Sequence, residues 1–161
     1  MKEKDLLNGM TTDGSIAAQT IAEIMVTRVV TVEMDDSLEV VRAIFRKVKF
    51  HHLLVVDNEK LVGVISDRDL LTAISPYVGT MSETSRDLCT LEKRAHQIMS
   101  HHPVRIHKSV RVQEAAEQML KRGVSCLPVI STDGAIEGIV TWKDLVYAFL
   151  RASYQSEAVV A

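Results

Sequence analysis

The chain is poor in the residues that mark several specialised classes of protein. Its 161 residues include three prolines, two cysteines and only 4% aromatic residues. Cys89 and Cys126 are too few and too far apart in sequence for a disulfide framework or a zinc site. We expect Cys126, which lies in an apolar run, to pack as a small apolar side chain.

The sequence also lacks an excess of positive charge and any long apolar segment. The formal net charge is −2 and the isoelectric point is near 6.3, which disfavours a nucleic-acid partner. No apolar run approaches the ~20 residues that span a bilayer, and the N-terminus has no basic segment followed by an apolar one. These features predict a cytoplasmic protein with no membrane partner.

The composition that remains is that of a folded domain. Hydrophobic residues make up 47% of the chain and charged residues 25%, which is ordinary for a globular protein. A chain of this length buries ~70% of the surface that it exposes when unfolded. It therefore forms one ordinary domain or two intimate half-domains.

The chain contains one unit twice. Residues 63–70, Gly-Val-Ile-Ser-Asp-Arg-Asp-Leu, return as residues 138–145, Gly-Ile-Val-Thr-Trp-Lys-Asp-Leu. Upstream, Met25 matches Met99 and Val30 matches Val104 at a constant offset, and one extra residue near Gly134 shifts the register. A repeat of this length indicates two copies of one supersecondary structure.

Each unit follows the pattern β, α, β, β, α. The expected strands of the first unit are residues 29–32, 53–56 and 61–65, and those of the second include residues 127–130 and 136–140. Asp36 or Ser37 can cap the first helix, and Glu39 follows Asp36 at the spacing of a capping box. We predict an α/β (α+β) fold in which each unit has a small three-stranded sheet and two helices.

The same pattern sets the predicted boundaries. They are a flexible tail at residues 1–19, the first unit at 20–74, a linker at 75–94, the second unit at 95–150 and a fraying tail at 151–161. A unit of about 50 residues is marginally stable alone because its helices cover one face of the sheet. We therefore expect the two units to pack together.

The repeated motif places a hydroxyl residue and an acid where a strand meets a helix. Ser66 with Asp69, and Thr141 with Asp144, have the spacing of a capping box, which is purely structural. The same junction also points free N–H groups and a positive dipole at one spot, where a phosphate is favoured. Arg68 and Lys143 can add positive charge to it. The residues alone leave both explanations open.

These motifs resemble the CBS domain family, named after cystathionine β-synthase, and in particular the tandem pair called a Bateman module. The resemblance covers residues 20–150 and is carried by the doubled glycine-to-aspartate motif, by Leu-Pro-Val-Ile at 127–130 and by Leu-Leu-Val-Val at 53–56. The sequence departs from the pattern at Leu54, where the second unit has Pro128. The resemblance implies two CBS motifs packed with pseudo-two-fold symmetry, pairing into a homodimer, without catalytic activity or a required cofactor.

The resemblance further implies a regulatory or sensor module that binds AMP, ADP, ATP or a related adenosyl ligand and acts on an unidentified effector protein. In this reading Asp69 and Asp144 accept hydrogen bonds from ribose hydroxyls. The clefts lie between the two motifs. One cleft combines Ser66, Arg68, Asp69 and His52 with His102, Val104 and Ser125, and the other combines Thr141, Lys143, Asp144 and Cys126 with Arg28, Val30 and His51.

Two other functions stay open at this point. One is a ligand-free dimeric scaffold, in which the Ser/Thr–Asp pairs only cap helices. The other is a metal site at the adjacent histidines 51–52 and 101–102, although neighbouring residues on a strand point to opposite faces and no acid or thiol joins them at ligand spacing. His52 or His102 is better suited to line a phosphate pocket. No nucleophile with a general base appears, so we do not expect an enzyme.

Overall fold

The structure is a computed structural model that describes residues 19–48 and 50–159, with the backbone alone described at 154–159. The predicted N-terminal tail, except for Gln19, lies outside the described residues. The strands are β1 (Thr31–Glu33), β2 (His52–Asp57), β3 (Lys60–Ser66), β4 (Ser100–His101), β5 (Cys126–Ile130) and β6 (Ile136–Thr141). The α-helices are α1 (Leu38–Lys47), α2 (Asp67–Ala73), α3 (Ser85–Leu88), α4 (Val112–Arg122) and α5 (Trp142–Val159). The predicted mixed α/β fold with two tandem motifs is confirmed.

The first sheet has the order β1-β2-β3-β4. β1 runs parallel to β2, and the other two pairings are antiparallel. β4 belongs to the second unit in sequence, yet it pairs with the first unit's β3 through Gly63 with His101 and Val64 with Ser100. The first sheet therefore has one strand more than the three predicted.

The second sheet has only β5 and β6 as regular strands. Ile106, where the second unit's first strand was expected, forms an isolated parallel bridge to Val129. In the first unit the N–H of Leu54 donates to the carbonyl of Val30 at 3.3 Å. Pro128 occupies the matching position in the second unit and has no N–H to donate, so the pairing there is reduced to a single bridge.

The segment that precedes each unit's first strand packs into the core of the other unit. We call residues 20–26 the first lead-in and residues 95–101 the second lead-in. Ile21 is fully buried in the second unit's core, and Ala95 is fully buried in the first unit's core. Val26 bridges Ile139 of the second sheet, which mirrors the pairing of β4 with β3. Units that are continuous in sequence are thus interlocked in space.

The repeated glycines make this exchange possible. A Cβ added at Gly63 would fall on the Sδ of Met99, and one added at Gly138 would lie 2.8 Å from the carbonyl oxygen of Val26. Real Cβ atoms do not approach other atoms so closely, so any larger residue at either place requires the crossing lead-in to shift. Gly63 and Gly138 open the doubled motif because another segment crosses them.

The ends of two helices differ from the prediction. The Oγ of Ser37 caps α1 by accepting from the N–H of Val40 at 3.4 Å, whereas Asp36 accepts from the N–H of Glu33 at 2.9 Å. Asp36 therefore closes a turn before the helix, and the box predicted with Glu39 is not the cap. α5 continues to Val159 instead of fraying from residue 151, because residues 151–159 contain neither glycine nor proline.

Candidate functional site

Both repeated motifs form a strand-to-helix junction. At the first, from β3 to α2, the N–H and the hydroxyl of Ser66 donate to Oδ2 of Asp69 at 2.8 and 2.6 Å. At the second, from β6 to α5, the same groups of Thr141 donate to Oδ2 of Asp144 at 2.8 and 2.7 Å. Across the described residues, the hydrogen bonds of both carboxylates use Oδ2, which leaves each Oδ1 open to a further donor.

A similar box occurs where no ligand was predicted, although there Oδ1 of Asp87 also accepts from the hydroxyl of Ser75 at 2.6 Å. At the start of α3 in the linker, the N–H and the hydroxyl of Thr84 donate to Oδ2 of Asp87 at 2.9 and 2.6 Å. Capping geometry alone therefore does not make a binding site. What separates the two repeated junctions from this one is the set of residues around them.

His52 connects the first junction to the second unit. It pairs with Ser66 across β2 and β3, and its Nε2 lies 2.9 Å from the Oγ of Ser125. Burial lowers the pKa of His52 below 6.5, an effect that the nearby carboxylates of Asp67 and Asp69 partly oppose. A neutral imidazole therefore bridges the two units at neutral pH, and the structure brings together the predicted residues Ser66, Asp69, His52 and Ser125.

His51 also belongs to the first junction. Its Nδ1 lies 2.8 Å from Oδ2 of Asp67, and its carbonyl accepts from the N–H of Asp67 at 3.1 Å. The hydrogen bond from His51 is the main reason why the pKa of Asp67 is lowered. The resemblance assigned His51 to the second cleft, but its side chain is engaged at the first junction.

The second junction has a less polar surrounding. Cys126 pairs with Thr141 across β5 and β6, and burial raises the pKa of its thiol to about 12, so the thiol stays neutral. The N–H of Trp142 donates to the carbonyl of Ser125 at 3.3 Å, and its indole packs against the second unit's core. Lys143 lies over the ring of Tyr147, with its Nζ 5.8 Å from the centroid.

Four other predicted residues take no part in the hydrogen bonds of the two junctions in the described part of the chain. Val30 packs against the first unit's core and Val104 against the second's, while Arg28 and His102 are exposed. His102 has a φ of 49° and follows β4, which runs away from Ser66 along β3. Among the described residues no hydrogen bond or ion pair joins any of these four to a junction.

Two features outside the junctions bear on other functions. The described part of the chain has no group of three or more His, Cys, Asp or Glu side chains that could hold a metal ion. A cavity of about 420 Å³ lies at the edge of the second sheet and includes neither junction. It is lined by Arg105, Ile106, His107, Ile130, Ser131, Thr132 and Gly134.

One residue at each junction was not among the predicted binding residues. Asp67 and Trp142 occupy matching positions of the repeat, directly after the hydroxyl residue, and both contact the junction as described above. The signal was present in the repeat itself, because an acid replaced by an indole is the largest change of side-chain chemistry within the motif.

The family model of the CBS domain matches the sequence twice, over residues 21–76 and 95–151. The chain belongs to the CBS domain family, as its resemblance predicted. A CBS domain-containing protein of Dictyostelium discoideum is 34% identical over 128 residues, which cover 78% of this chain and 88% of the relative. None of the described helices has the length and apolar character needed to cross a membrane.

Solved structures of CBS-domain pairs share the fold. The structure of CBSX2 of Arabidopsis thaliana in complex with AMP has a TM-score of 0.68 and 26% identity, covering 84% of this chain and 98% of that one. The CBS domain pair of the protein MJ0100, in complex with 5′-methylthioadenosine and S-adenosyl-L-methionine, has a TM-score of 0.67 and 25% identity, covering 82% and 96%. CBS pairs are regulatory modules, and these neighbours bind adenosyl ligands.

Proposed function

We propose that this chain is a non-catalytic regulatory module of the cytoplasm that binds an adenine nucleotide or a related adenosyl ligand between its two CBS motifs. The observation that carries the proposal is the doubled Ser/Thr–Asp junction, and the contact of His52 with Ser125 supports a position of the first junction at the boundary between the units. The adenosyl ligands of CBSX2 and MJ0100 support the ligand class. Two free cysteines are compatible with a reducing compartment.

In the proposed site each part of the junction has a separate task. The hydroxyls of Ser66 and Thr141 and the charges of Arg68 and Lys143 face the phosphate side of a nucleotide. The open Oδ1 atoms of Asp69 and Asp144 accept from ribose hydroxyls, for which a carboxylate is a good acceptor. In this proposal the aliphatic side chains of Val30 and Val104 wall the adenine.

The remaining residues of the assigned set line the entrance. We assign Arg28 and His102, which are exposed, to the outer side of the clefts, and His51 to the first junction, where it contacts Asp67.

The proposed module acts as a homodimer that signals to an effector protein. Large apolar side chains are exposed on two helices: Val146, Tyr147 and Leu150 on α5, and Leu71 on α2. Each is about half exposed or more, and on α5 the i, i+4 spacing of Val146 and Leu150 places them on one side of the helix, where exposed apolar side chains are typical of a surface that another chain covers. We commit to a second copy of this chain as the occupant.

The test replaces both ribose acceptors without removing the caps. In Asp69→Asn and Asp144→Asn, the amide oxygen can still accept from Ser66 and Thr141, while the amide nitrogen replaces the open acceptor. We expect AMP, ADP or ATP to raise the melting temperature of the unaltered protein by mass action, and the double variant to lose that increase. Native mass spectrometry of the same samples gives the number of chains and nucleotides per complex.

Asp87→Asn is the control in the linker, where the carboxylate forms the same box with Thr84 but its Oδ1 already accepts from the hydroxyl of Ser75. It should leave the nucleotide-induced increase intact. The second candidate function, a ligand-free dimeric scaffold, is favoured by the likeness of the three boxes. If no adenosyl compound shifts the melting temperature and all three variants behave alike, the scaffold replaces our proposal.

A further inference from the structure

We infer that the two sites differ in their preference for ligand charge: a carboxylate weakens phosphate binding at the first site, which therefore favours an uncharged adenosyl group more than the second site does. The residue that decides this is Asp67, whose counterpart in the repeat is Trp142. The inference rests on the proposed function, because it assigns a charge preference to the two sites proposed above.

The formal charges at the two junctions differ. At the first, Asp67 and Asp69 outnumber Arg68, which leaves one net negative charge when the histidines are neutral. At the second, Lys143 and Asp144 balance. An indole and a neutral thiol replace the acid and the imidazole that the first junction has at the same positions of the repeat.

Asp67 is ionised and its field reaches the boundary between the units. The hydrogen bond from His51 lowers the pKa of Asp67, so its carboxylate stays charged at neutral pH. Its charge acts on His52, which in turn contacts Ser125 of the second unit. Asp67 also directly follows Ser66 at the start of α2, so its carboxylate lies beside the place where His52, Ser66 and Ser125 meet.

The same negative charge opposes a phosphate there. Two like charges several ångströms apart near a protein surface repel enough to change an affinity roughly threefold to tenfold for each unit of phosphate charge. Because Asp67 is partly exposed, added salt weakens the effect. Adenosine, which lacks the phosphate, does not experience the repulsion.

The test measures the first site alone. In an Asp144→Asn background, which disables the second site, titration calorimetry at low ionic strength gives the dissociation constants of AMP and adenosine with and without Asp67→Asn. We expect Asp67→Asn to lower the dissociation constant of AMP roughly threefold to tenfold and to change the dissociation constant of adenosine by less than about twofold. The control is Asp57→Asn, an exposed carboxylate at the opposite end of β2, which should change neither ligand.

The possible results are distinct. If Asp67→Asn changes the dissociation constants of AMP and adenosine equally, or changes neither, the inferred charge preference is wrong while the proposed nucleotide binding stands. If the unaltered protein binds no adenosyl compound at all, the proposed function fails and this inference fails with it. If the increase in AMP affinity caused by Asp67→Asn persists unchanged in high salt, the inference is also contradicted, because salt must screen a charge effect at an exposed carboxylate.

Discussion

At the scale of single residues, His52 is the side chain that most clearly joins the two halves. Its ring lies between the first junction and Ser125, and burial lowers its pKa. A buried neutral histidine resists protonation because the charged form loses its hydration. The contact between the units therefore depends on a group whose pKa lies below its ordinary value of 6.5.

The lowered pKa of His52 predicts how stability depends on pH. The unfolded chain takes up the proton at pH values where the folded chain does not, so unfolding is favoured as the pH falls from 6.5 through the lower folded pKa. The contribution is fully present above 6.5. Urea denaturation from pH 8 to pH 5 should show the stability falling across this window, and His52→Gln should flatten that part of the profile.

His101→Gln is the control for this experiment, because His101 is exposed on β4. It should leave the pH profile unchanged. A His52→Gln profile that keeps the full slope would show that another group causes the dependence.

At the scale of elements, each lead-in crosses a glycine in the sheet of the other unit, and these crossings hold the two sheets together. At Gly138 the neighbour is the backbone of Val26, which also exchanges hydrogen bonds of 2.9 and 3.0 Å with Ile139. At Gly63 the neighbour is the side chain of Met99, which can change rotamer. The two glycines are therefore equivalent in sequence and different in what they tolerate.

This difference predicts unequal costs of the same substitution. Gly138→Ala should lower the free energy of unfolding by about 2–3 kcal/mol because backbone must move, and Gly63→Ala by about 1 kcal/mol. Met99→Ala should cost less in the Gly63→Ala background than in the natural sequence, since the smaller side chain relieves the clash. Equal costs at both glycines without coupling to Met99, measured by urea denaturation, would contradict this account.

At the scale of the whole molecule, the exchanged lead-ins make two sequence units into one folded body. A third cluster adds to this, because Leu54 and Val64 of the first unit pack with Cys126 of the second. Neither unit has a complete core without residues from the other. We therefore expect damage in a lead-in to appear in the unit that it packs against and not in the unit that it precedes.

Ile21→Ala tests this expectation. Ile21 is fully buried in the second unit's core, so its truncation should cost about 2–5 kcal/mol. Hydrogen exchange should show lost protection in β5 and β6 and retained protection in β2 and β3. Leu38→Ala, in the first unit's core, is the matched variant and should give the opposite pattern. Equal loss of protection in both sheets would mean that the units unfold only together.

Features that depend on local pattern could be predicted from the order of residues alone. The repeat, the mixed α/β fold, most of the strands and the Ser/Thr–Asp boxes follow from spacing, turn residues and alternation over a few positions. The contact of His52 with Ser125 could be predicted only through the family resemblance, because the two residues are far apart in the chain.

The way in which the two repeats join depends on contacts between distant segments, which are visible only in the folded chain. The exchange of lead-ins, the extra strand β4 and the contact of His51 with Asp67 depend on which distant segments meet, and local periodicity carries no information about that. The single bridge at Ile106, where the first unit has β1, likewise reflects a missing N–H at Pro128 in a pairing between distant residues. The glycines show the division most plainly: the sequence marks Gly63 and Gly138 as equal, and packing decides that one faces a movable side chain and the other a fixed backbone.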